Sequence, residues 1–259
     1  MKTASYENIE YIEDRVGPFN MKMRLYIYLV DGLLIDTGAS NFEKRYSPFF
    51  KSRNIEKVAI THFHEDHAGL AGWIQQNIGA EIYIHSSAVD KAKLDSKFPF
   101  YRKYYWGNMK GFNASSFSDC LKTENHCFQV IHTPGHTDNH VVLFEEDKRW
   151  LFCGDMYVAS RQKIAFIEEN MAETIISLEK IAKLNFKHLF CAHSGIHHKG
   201  KEHILAKLDY FYKLREKIYA LRKSGMSDDQ INRIVFPKRR LITYLSGGEC
   251  SSKYIVSTI

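Results

Sequence analysis

The chain has 259 residues, of which 44% are hydrophobic and 25% charged, with a formal net charge of +6 and 13 histidines. This is ordinary globular usage, long for one compact domain and short for two, so one main domain with an appendage is expected. The longest apolar runs, such as "LYIYLV" from Leu25, fall far short of a bilayer span, and the first residues carry acids where an export signal would need an apolar stretch, so a soluble cytoplasmic chain with no membrane partner is expected.

The charge is unevenly placed. Residues 200–259 hold 12 Lys or Arg against 6 Asp or Glu, so the whole excess sits there, and residues 1–199 balance at 24 against 24. Five cysteines (Cys120, Cys127, Cys153, Cys191, Cys250) form an odd set without a C-x-x-C pair, which predicts free thiols rather than a disulfide framework or a thiolate metal knuckle.

In chain order, "NIEYIEDR", "MRLYIYLV" and "GLLIDTG" read as short strands separated by turn residues and predict an antiparallel start. "FEKRYSPFFKSR" reads as a helix up to Pro48, "EKVAITH" as a buried strand, "AGLAGWIQQN" as a helix and "AEIYIH" as the next strand. Residues 91–119 are dense in aromatics and bases without strand alternation, which predicts helical or irregular cover over one face. Strands return at "CFQVIHTPG", "NHVVLFEED" and "RWLFCGD", followed by a helix at "MAETIISLEKIAKL" and a strand at "HLFCAH". From Glu202 to about Lys223, Ile204, Leu208, Phe211, Leu214, Ile218 and Leu221 recur in steps of three and four and mark one apolar face of a long helix. Gly225 can end it, and Ser227 with Gln230 makes a capping box for a short helix that Pro237 stops.

The loop between "EKVAI" and the next helix crowds His62, His64, Glu65, Asp66 and His67 into six positions. His62 and His64 alternate along extended backbone and can point the same way, whereas Asp66 and His67 turn onto the helix and face a second position. Zinc-type ions take neutral imidazole and carboxylate ligands, and a catalytic site keeps a position open. Three later strand ends present further candidates: His136 after a Pro-Gly turn, Asp155 after an apolar strand and a glycine, and His193 in "LFCAHSG". Glu65, the variable residue between these positions, is expected to face solvent. His132, His140, His197 and His198 lie beside the motifs and are expected in hydrogen-bonding or surface roles, with His140 best placed to reach the rim of the site. Neither G-x-S-x-G nor G-x-x-x-x-G-K-[ST] occurs, so a serine hydrolase or a nucleotide-loop enzyme has no support.

The ordered set of Asp36 in "IDTG", His62-x-His64-x-Asp66-His67, His136 in "PGHT", Asp155 in "CGD" and His193 in "AHSG" resembles the metallo-beta-lactamase superfamily over about residues 25–197. The resemblance implies an α/β fold, a four-layer αββα sandwich with its metals on loops at one edge, over residues 1–200, and a helical C-terminal extension over 201–259. It implies one metal held by His62, His64 and His136 and another by Asp66, His67 and His193, with Asp155 bridging them and Asp36 shaping the site through hydrogen bonds. Two divalent cations follow, zinc by default, with iron or manganese also suiting mixed His and Asp ligands. The expected reaction is hydrolysis by a metal-bridging hydroxide, with Asp66 or Asp155 as the catalytic carboxylates that orient it and help move its proton to the leaving group.

Fold alone does not choose the substrate. The best-known secreted lactamases replace the aspartate of the histidine motif or use a cysteine ligand, and this chain does neither, which argues against an antibiotic lactamase. In "TPGHTDNH" and "CAHSGIHH" it is similar to the lactamase-like, glyoxalase II-like branch with a helical extension, although Ser194 stands where a glycine is common. A small ester, lactone or thioester is the favoured substrate. The alternative is a nuclease on single-stranded RNA or another phosphodiester, supported by the basic extension and by Tyr101, Tyr104, Tyr105 and Trp106 interleaved with Arg102 and Lys103. In the favoured reading residues 98–112 form an aromatic lid over the metals, and Lys238, Arg239 and Arg240 lie far from them. A homo-oligomer is compatible with the sequence, which sets no oligomeric state.

Overall fold

The computed structural model describes residues 1–17, 23–238 and 240–259. The first sheet carries seven strands in sequence order: β1 (Lys2–Tyr6), β2 (Ile9–Val16), β3 (Met23–Val30), β4 (Leu33–Ile35), β5 (Lys57–Ala59), β6 (Glu81–Ile84) and β7 (Ser115–Ser116). Pairing is antiparallel through β4 and parallel from β4 to β7. β1 is an addition to the sequence reading, its exposed residues giving little hydrophobic signal. The second sheet is built from β8 (Cys120–Lys122), β9 (Cys127–His132), β10 (Val141–Glu145) and β11 (Trp150–Phe152), then, after the short β12 (Ala165–Phe166), β13 (His188–Cys191) and β14 (Gly195–His197). β12 stands apart and pairs with β15 (Cys250–Ser251) from the extension.

Strand periodicity explains the layering. Along β3, Leu25, Ile27 and Leu29 face one apolar cluster while Tyr26, Tyr28 and Val30 face another, as alternation of side chains across a pleat requires. The outer cluster joins the first sheet to α1 (Glu43–Lys51) and α3 (Ala71–Asn77), which follows the single-turn α2 (Glu65–Ala68), and to α4 (Val89–Ala92). The middle cluster lies between the sheets, where Phe152 and Phe190 stack at 4.5 Å. The third buries Val142, Phe144, Leu151 and Leu189 against α6 (Met171–Ala182) and α7 (Gly200–Lys223), beyond α5 (Phe100–Trp106) in the chain. Three apolar interfaces separate four layers in the order helix, sheet, sheet, helix.

The extension continues with α8 (Asp228–Val235), α9 (Leu241–Leu245) and α10 (Lys253–Thr258). The apolar face of α7 enters the third cluster through Ile204, Leu208, Phe211, Leu214 and Ile218, joined there by Ile231 of α8 and Ile255 of α10. The Ser227–Gln230 capping box opens α8 as expected. No helix among the described residues is long and apolar enough to cross a membrane.

Two sequence expectations fail in the fold. α1 runs through Pro48 to Lys51, since Phe49 and Phe50 lie in the outer core and their burial offsets the hydrogen bond that proline cannot donate. Cys120 and Cys127 are not free thiols: the β8–β9 hairpin sets them 6.0 Å apart at their Cα atoms, close enough for a disulfide, which they form. Cys153, Cys191 and Cys250 are free and buried, as expected.

Candidate metal centre

The side chains singled out in the sequence converge at one edge of the sandwich, where parallel strand pairs end. Asp36 follows β4, His62 to His67 follow β5 and form α2, His136 sits in the turn between β9 and β10, and Asp155 and His193 follow β11 and β13. Gly154 is needed to deliver Asp155: at φ +47° its backbone is left-handed, and a Cβ there would lie 2.8 Å from His140 Nε2 and 2.9 Å from Thr61 Oγ1. Asp36 is itself left-handed at φ 60°, a strained position for a residue with a side chain, and it is held there by its bonds to Thr61 and His67.

The donor atoms form two groups. His64 Nδ1 lies 3.0 Å from His62 Nε2 and 3.2 Å from His136 Nε2. On the other side, His193 Nε2 lies 3.4 Å from Asp66 Oδ2, and His67 Nε2 lies 3.9 Å from Asp66 Oδ1. Asp155 stands between: its Oδ2 is 3.6 Å from His136 Nε2, and its Oδ1 is 3.4 Å from His67 Nε2 and 3.2 Å from His193 Nε2. Donors bound tetrahedrally at zinc distances sit about 3.3 Å from one another, so the spacing fits a small divalent cation. Among the described residues, His67 Nε2, His193 Nε2 and Asp155 Oδ1 are buried without a hydrogen-bond partner, an arrangement too costly to leave uncompensated and one that a cation relieves. The triples His62, His64 and His136, His62, His67 and Asp155, and Asp66, His67 and His193 are each close enough to hold an ion.

Every imidazole is oriented through its other nitrogen, the arrangement that fixes a tautomer for metal binding. His67 Nδ1 donates to Asp36 Oδ2 at 2.7 Å, and His193 Nδ1 donates to the Arg24 carbonyl at 2.8 Å. His62 Nδ1 meets Thr61 Oγ1 at 3.2 Å. His64 Nε2 lies 3.3 Å from Glu168 Oε1, and His136 Nδ1 lies 3.5 Å from Glu169 Oε2. Glu168 and Glu169, in "AFIEEN", are functional neighbours that the sequence reading missed. Their only signal is a pair of acids just before α6, which reads equally well as a charged first turn.

The electrostatics follow from the same packing. Burial pushes the His62 pKa well down, helped by His67, His64 and His136, which leaves a neutral ligand. Burial opposes ionisation of Asp155, yet the neighbouring His193 and His67 hold its carboxyl well below the usual range. Burial likewise disfavours a charged His67, but Asp36, Asp155 and Asp66 outweigh it and raise that pKa well above the usual imidazole value.

Three neighbours differ from expectation. Glu65 is 1% exposed, not solvent-facing: α2 turns it inward, where Arg102 of α5 grips it through Nε at 2.5 Å and Nη2 at 2.6 Å. His140 does not reach the rim. It is fully buried behind the site, where its Nε2 accepts the Asp155 amide at 3.2 Å and its Nδ1 bonds Thr133 Oγ1 at 2.9 Å. Arg240 is not remote either, since it lines the same cavity as His64 and Asp66; Lys238 is exposed, and Arg239 lies outside the described residues. His132 is exposed and donates to the Asp138 carbonyl, and His197 bonds Ser194.

The donors open into a cavity of about 590 Å³. α5 forms one wall with Tyr101, Tyr105 and Trp106, residues 158–166 another, and the extension supplies Lys207, Leu241 and Ile242.

With this geometry in view, the comparisons with known proteins are consistent. A model described as the metallo-beta-lactamase superfamily matches residues 26–193, and the chain belongs to that superfamily. A Beta-lactamase-like protein 2 homolog of Caenorhabditis elegans is 28% identical over 235 residues, covering 84% of this chain and 74% of that protein. The hydroxyacylglutathione hydrolase GloC of Haemophilus influenzae is 30% identical over 107 residues, 40% of this chain and half of that protein. In fold, a beta-lactamase domain protein from Burkholderia ambifaria matches with a TM-score of 0.72 at 18% identity, over 98% of this chain and 86% of that one. A metallo-beta-lactamase family protein from Thermus thermophilus matches at 0.67 and 17% identity, over 98% and 91%. The chain is a metal-dependent hydrolase of this superfamily.

Proposed function

We propose that the centre holds two divalent cations, zinc by default, and hydrolyses a small ester or thioester. His62, His64 and His136 are assigned to one ion, Asp66, His67 and His193 to the other, and Asp155 to both. The carrying observation is Asp155, whose Oδ2 faces His136 while its Oδ1 faces His67 and His193. The ions supply Lewis acidity to the scissile carbonyl and lower the pKa of water at the site. Asp66 lines the cavity, so its carboxylate can align an attacking water and carry its proton to the leaving group. Glu168 and Glu169 keep His64 and His136 aimed inward. Residues 201–259 act as part of the same unit, closing the pocket rather than forming a separable module.

Three observations support a small substrate. The cavity volume is that of a small-molecule site. Relatives include proteins named hydroxyacylglutathione hydrolase, from Haemophilus influenzae and Legionella pneumophila among others. Two of the side chains that could have met a nucleic acid are engaged within the chain: Tyr101 donates to Glu249 at 2.6 Å and Arg102 is paired with Glu65.

The test is elemental analysis of purified chain coupled to a panel of thioester, lactone, phosphodiester and single-stranded RNA substrates. Two metal ions per chain and thioester or ester turnover are expected; salt-sensitive RNA cleavage without thioester turnover would overturn the reading.

A further inference from the structure

Beyond the metal donors, the polar side chains inside the cavity are already engaged. Glu65 is taken by Arg102, and Glu169 accepts from Gln162 at 2.7 Å and from the Phe166 amide at 2.9 Å. Lys207 Nζ donates to the Met156 carbonyl at 2.7 Å, with Glu169 and Asp155 as neighbouring charges. Arg161, Lys163 and Arg240 line the cavity where it meets water and are exposed. Much of the remaining lining is apolar: Tyr105 and Trp106 of α5, Val158, Ile164 and Phe166 of the second wall, and Ile242 of α9. That surface continues to the lip, where Leu241 and Val158 line the cavity yet are 62% and 41% exposed. Apolar side chains left in water beside a cavity are stabilised by an apolar group that covers them.

We propose that this wall receives an apolar acyl chain, so that the substrate is an ester or thioester of an aliphatic carboxylic acid and not of a hydroxy acid. The inference rests on the ester or thioester reading above and sharpens it. The scissile carbonyl belongs at the donors, and the two groups attached to it go to different places. The thiol or alcohol carriers of such esters are polar and keep their water at the mouth, which leaves the acyl chain as the part that the wall can desolvate. A hydroxyl on that chain would exchange water for a lining whose Glu65, Gln162, Glu169 and Lys207 already have partners, and it would lose binding energy by doing so. The volume of about 590 Å³ leaves room for a chain of several carbons.

The test uses the metal-loaded full chain and the acid products of such a reaction, whose carboxylate can reach the donors whatever group has left. Binding of butanoate, hexanoate, octanoate and decanoate is measured by calorimetry, with lactate for comparison, alongside turnover of the N-acetylcysteamine thioesters of the same acids. Affinity should rise about threefold per methylene up to the length that fills the cavity, with a heat-capacity change that grows more negative. The kcat/KM values should rise in parallel, and lactate should bind more weakly than octanoate. In Ile164→Ser, and in Leu241→Ser at the exposed lip, decanoate should lose several-fold more affinity than butanoate, a split by chain length that a general loss of fold does not produce. Affinity that is flat with chain length, lactate bound as tightly as octanoate, or a chain-length dependence unmoved in both variants overturns the acyl site. A steep dependence in binding with no thioester turnover would retain it and reject the proposed reaction instead.

Discussion

The two ends of the cavity are built in opposite ways. At the donor end, side chains leave rigid strand ends within a short stretch of structure, and their polar atoms aim at a common centre with partners fixed behind them. The rest of the wall is assembled from α5, residues 158–166, α7 and residues 240–242, segments far apart in sequence that supply mostly apolar surface and a few charges, Arg102 of α5 among them paired with Glu65. Chemistry demands the first arrangement, because ligand geometry tolerates little error; recognition permits the second, because an apolar wall and a few charges can be supplied by whatever packs there. If so, damage at the donor end should abolish reaction, and damage at the other should change selectivity or stability.

The largest effect is expected from removing the extension. Truncation after Gly200 deletes Ile204, Leu208, Phe211, Leu214 and Ile218, all buried in the third core cluster, and should give insoluble or unfolded protein by circular dichroism. A stable, active truncated chain would make the extension a separable module and erase the comparison. Next comes Asp155→Asn, which removes the charge set between the two donor groups. Activity should fall about a thousandfold or more, the scale of losing several kcal/mol of charge stabilisation, and the metal content should drop with it. Full metal content and activity would remove Asp155 from the centre.

Much of the donor end was legible in the sequence because each donor stands at a fixed offset from a strand end or a turn: His62 and His64 alternate on extended chain, and Asp155 follows an apolar strand and a glycine. The four layers were likewise legible once strand alternation was combined with the family resemblance. What escaped depends on tertiary contact alone. Glu65 reads as a solvated acid until α5 brings Arg102 to it, His140 reads as a rim residue until β10 buries it, and Lys207 sits at a helical position where the surrounding pattern predicts only core. Pro48 looked like a stop because local propensity says so, whereas the burial of Phe49 and Phe50 decides.

The Glu65–Arg102 pair joins the two ends, and its rupture should be felt by stability more than by chemistry. Arg102→Met leaves a carboxylate 1% exposed without its partner and should cost about 3–5 kcal/mol in urea denaturation. Glu65→Gln added to it should recover a large part of that loss, since the buried charge is then gone. A double variant no more stable than Arg102→Met would show that the guanidinium acts on Glu168 instead, which it approaches at 3.8 Å. Smaller still is Glu168→Gln, where losing the charge behind His64 should weaken metal affinity about tenfold, read by chelator competition.

The smallest expected effect lies outside the cavity and shows what an ion pair does when it serves the fold only. Asp14 accepts from Arg45 Nη1 at 2.7 Å and from Tyr46 Oη at 3.1 Å. Burial pushes its carboxyl upward, but Arg45, the Met1 amino group at 3.0 Å and the Arg15 amide outweigh that and hold it below the ordinary value of 3.8. A depressed carboxyl contributes stability that is complete above its unfolded pKa and fades as the pH falls below about 4 toward the folded value. Because Arg45 is 47% exposed, Asp14→Asn should cost only about 1 kcal/mol at neutral pH, with the difference from the parent chain shrinking as both are acidified. Denaturation curves at pH 7 and pH 3 measure it. A loss of the same size at both pH values would mean that hydrogen bonding to Tyr46, rather than charge, is what Asp14 contributes, and the fold would then owe nothing to this pair's electrostatics.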